Sequence, residues 1–303
     1  MAVGVAFSDV SSQNVVGFQN LNFTPGDYTF SAQTFGKVGG GITKLSEFKP
    51  VSAAALTAGN FGIIFFKRDG SQRKVVDDTW LTETYENHEA LLKDATVSKG
   101  IVRFWFDPSS QNWYLFADNR KPYKFIMNDY PIKQTDGYQV FFNATHGADA
   151  HLVYSGEVAD AALELDVTPG DYVFSGNVAP ADMKLSEFTP VTETGLTAGN
   201  FGIVFFKRDG SQRKVVDDTW LTETYENHEA LVKDATVSKG IVRFWFDPSS
   251  QNWYLFADNR KPYKFIMNDY PIKAGQGFQV FASSAHTGGF QLLLPPAIEK
   301  DEK

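Results

Sequence analysis

Along most of the chain, apolar and polar residues alternate with the period of two that marks half-buried strands. Tyr28, Phe30 and Ala32 alternate with Thr29 and Ser31. Further strands are predicted at 61–68, 71–76, 101–106, 112–117, 123–127, 138–143 and 151–154. Turn chemistry separates them. Thr24-Pro25-Gly26-Asp27 places Pro and Gly where a type II turn needs them. Asp69-Gly70 is a two-residue hairpin signal, and Asp107-Pro-Ser-Ser and Asp118-Asn-Arg-Lys-Pro122 read as connections of an antiparallel meander. One stretch breaks the pattern. Leu81, Tyr85, His88 and Leu92 recur at helical spacing, which predicts a helix over Trp80–Ala95 and a second over Trp220–Ala235. In the strand 101–106, Val102, Phe104 and Phe106 share one face, and Arg103 and Trp105 share the other. Phe61, Ile63, Phe104, Phe106 and Leu115 are the predicted core.

The pattern occurs twice. Leu56–Lys133 recurs as Leu196–Lys273 at an offset of 140, with only Ile64/Val204 and Leu92/Val232 different. Lys44–Phe48 recurs as Lys184–Phe188 at the same offset, and Thr24–Tyr28 recurs as Thr168–Tyr172 at an offset of 144. Gly137–Phe141 matches Gly277–Phe281, and His146 matches His286. Only two copies of so long a unit point to tandem domains rather than a solenoid. The expected layout is an N-terminal arm at 1–12, modules at 13–157 and 158–297, and a charged tail at 298–303. The expected fold is mainly β (α+β): two tandem antiparallel β-barrel or β-sandwich modules, each with one short helix.

Composition narrows the function classes. Among 303 residues, 36 Asp and Glu outweigh 28 Lys and Arg, a net charge of −8 that disfavours a duplex-nucleic-acid binder. There is no cysteine, hence no disulfide, thiolate metal site or cysteine nucleophile. No apolar run approaches the length of a membrane helix, so no membrane span is expected.

No motif for catalysis stands out. His88-Glu89 lacks a second His four residues on, where Leu92 stands, so it reads as a solvated helix face. Asp77-Asp78, Asp118-Asn119 and Asn128-Asp129 match no calcium-loop spacing and read as caps and turns. His146 and His286 have no evident nucleophile to serve. Lys37–Ile42 is glycine-rich but lacks the ending of a phosphate loop. No cofactor and no metal are therefore expected. The more informative constellation is aromatic and basic. Arg103, Trp105, Trp113 and Tyr114, with Arg243, Trp245, Trp253 and Tyr254, are candidate contacts to a glycan or other partner. Two readings of Trp105 stay open: outward beside Arg103, or covered as core.

The chain edges carry a resemblance. Asn14-Val15-Val16-Gly17-Phe18, Pro25-Gly26-Asp27-Tyr28, Leu45-Ser46-Glu47-Phe48, Gly137-Tyr138 and Tyr154-Ser155-Gly156-Glu157-Val158 resemble exported repeat proteins of verrucomicrobial and lentisphaeral bacteria. Leu294-Pro-Pro-Ala297 departs from that pattern at the second close, and Trp80–Lys133 lies outside it. The resemblance implies a β-rich exported or cell-surface protein and no agreed activity. The opening Met1–Val10 has no charged region before its apolar residues, so a leader is not visible in it and a cytoplasmic protein is the alternative.

The expected function is non-enzymatic: a self-assembling extracellular structural protein, a filament or lattice subunit whose main partner is itself. A head-to-tail duplication would present related surfaces at both ends. Val15, Val16 and Phe18, in a segment without an equal before the second module, are the candidate assembly strand. The alternatives are a tandem carbohydrate-binding protein and, behind it, a hydrolase.

Overall fold

A computed structural model describes residues 5–6, 16–26, 28–37, 41–66, 81, 100–116, 122–159, 161–192, 195–206, 220–221, 240–256, 262–286 and 288–296. Within them the protein is mainly β, in several antiparallel sheets.

The first half holds β1 (Val5–Ala6), β2 (Val16–Phe23), β3 (Tyr28–Ala32), β4 (Thr43–Lys44), β5 (Lys49–Ser52) and β6 (Phe61–Phe66). It continues with β7 (Ile101–Asp107), β8 (Asn112–Phe116), β9 (Pro122–Ile126), β10 (Pro131–Ile132), β11 (Gly137–Phe142) and β12 (Ala150–Glu157). A six-stranded sheet has the order β3-β11-β6-β7-β8-β9, and a second sheet the order β1-β2-β12-β5. The predicted meander is the run β7 to β9, and β6 lies beside β7. β4 and β10 form a short separate pair.

The second half repeats this plan. Its strands are β13 (Leu163–Val167), β14 (Tyr172–Gly176), β15 (Met183–Lys184), β16 (Thr189–Thr192), β17 (Phe201–Phe206) and β18 (Ile241–Asp247). They are followed by β19 (Asn252–Phe256), β20 (Pro262–Ile266), β21 (Pro271–Ile272), β22 (Gly277–Ala282) and β23 (Phe290–Leu294). The order β14-β22-β17-β18-β19-β20 matches the first six-stranded sheet strand for strand, and β13-β23-β16 matches β2-β12-β5. No described sheet closes on itself, so neither half shows the closed-barrel alternative.

Each half has its own core between its two sheets. In the first, Leu21, Phe23 and Leu152 from one sheet meet Phe61, Ile63, Phe104, Phe106 and Leu115 from the other. All five predicted core residues are buried, and so are Phe201, Ile203, Phe244, Phe246 and Leu255 at the matching positions. The turn at Pro25-Gly26 has Gly26 at φ 92, as a type II turn demands. The predicted helices, like the hairpin at Asp69-Gly70, lie outside the described residues except for Leu81, Trp220 and Leu221. The helical elements described at length are single 3-10 turns at Leu45–Glu47 and Leu185–Glu187.

The halves meet face to face rather than head to tail. Phe30 of β3 and Phe174 of β14, which are counterparts, stack at 5.5 Å. Phe66–Phe174 at 4.5 Å mirrors Phe30–Phe206 at 4.8 Å. Gly137 and Gly277 mirror each other as well. A side chain on Gly137 would meet the backbone of Ser175 at 2.5 Å, and one on Gly277 the backbone of Ser31 at 2.6 Å. Reciprocal contacts of this kind define a pseudo-twofold axis, the isologous arrangement.

The assembly strand is corrected in part. Val16 and Phe18 pair along β12 of their own half, opposite Glu157 and Ser155, while β1 meets Val16 and Gly17 on the other edge. Their side chains stay exposed, at 41% and 45%. Val15 lies outside the described residues.

Candidate functional site

The outward face of each six-stranded sheet carries two rows of side chains. Register places Gln139, Ile64 and Arg103 abreast on β11, β6 and β7. The neighbouring row runs Tyr28, Phe141, Gly62, Trp105, Tyr114 and Ile126. Gly62 has no side chain to fill its place, and the Phe141 ring occupies that space.

Above these rows lies a cavity of about 650 Å³, within the usual range for a small-molecule site. Its wall includes Tyr28, Phe66, Arg103, Phe116, Gln139 and Phe141, with Asn60 and Asn143 at one end. The second half has a cavity of about 240 Å³, walled by Tyr172, Phe206, Arg243, Phe256, Gln279 and Phe281. All eleven residues lining the smaller cavity are counterparts of residues lining the larger one. The ends differ: Asn143 and Ala144 become Ser283 and Ser284, and Phe142 becomes Ala282.

Arg103 and Arg243 are the candidate residues that this geometry brings to the cavities. Among the described residues, none gives either guanidinium a carboxylate partner, and the Arg103 Nε–H is buried without an acceptor. Trp105 shares the Arg103 face, as its alternation predicts, yet is only 8% exposed and stacks on Tyr114 at 5.0 Å. Trp245 and Tyr254 repeat the stack at 5.1 Å. The Nε1–H groups of Trp105 and Trp245 are buried without a partner. Tyr114 is half-buried, with its hydroxyl 3.3 Å from Ser110 Oγ.

Trp113 and Trp253 are corrected. Both are fully buried between the sheets, and Trp113 Nε1–H donates to the Phe48 carbonyl at 2.9 Å. A side chain so placed holds the sheets together and offers no surface to a ligand.

The other described polar candidates make contacts within the fold. Asn128 accepts from the Trp113 backbone N–H and donates to Asn112, and Asp129 pairs with exposed Lys44 at 2.7 Å. His146 Nε2 lies 3.0 Å from Ser52 Oγ, a pair that the sequence reading missed. Ser52 Oγ donates its proton to the Asp149 carbonyl at 2.8 Å, so the imidazole is not positioned to take it, as nucleophile activation requires. The Asp107 carboxyl is held below the usual carboxylate range by the Ser109 hydroxyl, and Asp247 likewise by Ser249. These bonds close the β7–β8 and β18–β19 turns. Among the described residues no cluster of His, Asp or Glu has metal-ligand geometry, and no helix is long and apolar enough to cross a membrane. Asp77, Asp78, His88, Glu89, Asp118 and Asn119 lie outside the described residues.

No protein-family model matches the chain, and no curated protein matches it at a significant level.

Proposed function

We propose that this is a non-enzymatic binding protein made of two β-sandwich modules, 13–157 and 158–297, each offering to a glycan a cavity with matching aromatic walls. One observation carries the reading: the lining of one cavity recurs in the other, position by position. Aromatic walls suit the apolar faces of sugar rings, and Gln139 and the terminal amides suit their hydroxyls. Two weak sites on one body gain avidity when the ligand itself repeats. The surface of a cell, where such polymers lie, is the matching location.

Retention on immobilised polysaccharides tests this. The chain should be retarded in affinity electrophoresis by at least one of a panel of plant and bacterial glycans. Phe141→Ala together with Phe281→Ala should abolish the retardation while the chain stays folded. Equal retardation of wild type and variant, or none across the panel, defeats the proposal.

A second reading, a self-assembling surface subunit, is supported by the outward face of the β1-β2-β12-β5 sheet. Val16, Phe18, Val51 and Val153 on that face are exposed at 41%, 45%, 57% and 46%. Apolar side chains gathered on one exposed face suit contact with a second copy. Sedimentation over a hundredfold concentration range decides it: growth into polymers supports assembly, and a constant monomer ends it.

A further inference from the structure

We infer that the ligand of these cavities is acidic, with a carboxylate on a sugar ring anchored by Arg103 in one cavity and Arg243 in the other. The inference rests on the glycan reading above and adds the charge of the ligand to it. Each cavity holds one arginine among aromatic and amide side chains. A guanidinium half-enclosed by rings is normally paired with a carboxylate or a carbonyl, because a desolvated charge without a partner is costly. Here no described residue supplies that partner, and the Arg103 Nε–H lacks an acceptor. The same arginine stands in both halves, on a register row with a glutamine, Gln139 or Gln279.

The planar guanidinium matches a carboxylate in a two-point pair, and the neighbouring amide can bond the ring hydroxyls. A densely charged polyphosphate fits poorly, since the chain carries a net charge of −8. A uronate polymer carries one charge per sugar, which one arginine per cavity can meet. The larger first cavity is expected to dominate the affinity.

Titration calorimetry on the full chain tests the inference, with oligogalacturonate as the acidic probe. A neutral galactan oligomer of equal length and its sulfated form serve as comparisons. The oligogalacturonate should bind about tenfold or more tightly than the neutral oligomer. That preference should shrink in high salt, while binding of the neutral oligomer should not change. Arg103→Gln with Arg243→Gln should erase the preference, and Arg103→Lys should restore only part of it. Equal binding of acidic and neutral oligomers overturns the carboxylate anchor and leaves the glycan reading standing. Preference for the sulfated oligomer over the uronate also overturns it. If no oligomer binds, both readings fall. Should the double variant not fold, the salt dependence measured on the unaltered chain still decides.

Discussion

At the residue scale, Gly62 and Tyr154 bear the most specific constraints. A methyl on Gly62 would lie 2.0 Å from the Phe141 ring and 2.5 Å from the Phe104 carbonyl, and on Gly202 it would meet the same neighbours of the second half. The backbone carbonyl cannot yield as a side chain can, so Gly62→Ala should destabilise the protein by about 1–3 kcal/mol. It should also push the Phe141 ring into the cavity, and urea unfolding combined with glycan titration measures both effects. Tyr154 is buried, with its hydroxyl 2.7 Å from Gln19 Oε1 and 2.8 Å from Thr34 Oγ1. Burial, which penalises the phenolate, pushes its pKa from 10.0 up to about 12. The neutral form is favoured in the folded state, so the stability it contributes is whole below pH 10. It is then lost as pH rises towards about 12. The second half has Leu294 at this position. Tyr154→Phe should therefore flatten the alkaline fall in stability, and an unchanged pH profile would show that another group causes it.

At the element scale, β7 and its counterpart β18 illustrate how far a sequence can be read. Alternation places Phe104 in the core, and the ring lies there without exposure, tilted against Tyr130 at 4.6 Å. Phe104→Ala should cost about 3–5 kcal/mol, with Phe244→Ala costing the same, as chemical denaturation would report. A cost of a few tenths would mean that the strand faces the other way. The strands of the meander were legible because each alternates and each is bounded by turn residues. β5 was not, because Pro50 removes a ladder donor from an already short run; the structure accommodates it at a sheet edge, where such a loss is tolerated. Trp113 shares its parity with Leu115, and that alternation puts both on the core face although basic residues flank the strand. The cavity was out of reach for a different reason. Gln139, Ile64 and Arg103 come together only through the register of three strands, and no local pattern states that register. What the sequence did contain was the offset of 140, which pairs every wall residue of β6, β7, β8 and β11 with a twin.

At the scale of the whole molecule, the two cavities are joined by their walls. Phe66 lines the first and Phe206 the second, and between them Phe174 and Phe30 complete an unbroken stack of four rings. These rings sit on the pseudo-twofold interface, where glycines let the backbones of the two halves approach closely. Stacked aromatic pairs contribute about 0.5–1.5 kcal/mol each beyond the area they bury. Three such contacts are enough to couple the unfolding of halves that have separate cores. The Phe30→Ala, Phe174→Ala double variant leaves both cores untouched and removes the middle of the stack. In scanning calorimetry its melting should begin at lower temperature, and its van't Hoff enthalpy should fall relative to the calorimetric enthalpy as the halves begin to unfold separately. Phe66 and Phe206 then lose their outer neighbour, so affinity at both cavities should weaken together even though neither substituted residue lines them. If the enthalpy ratio and melting temperature were those of the unaltered chain, the rings would not be what holds the halves together. If melting changed but affinity did not, the interface would stand and the shared wall would have no bearing on binding.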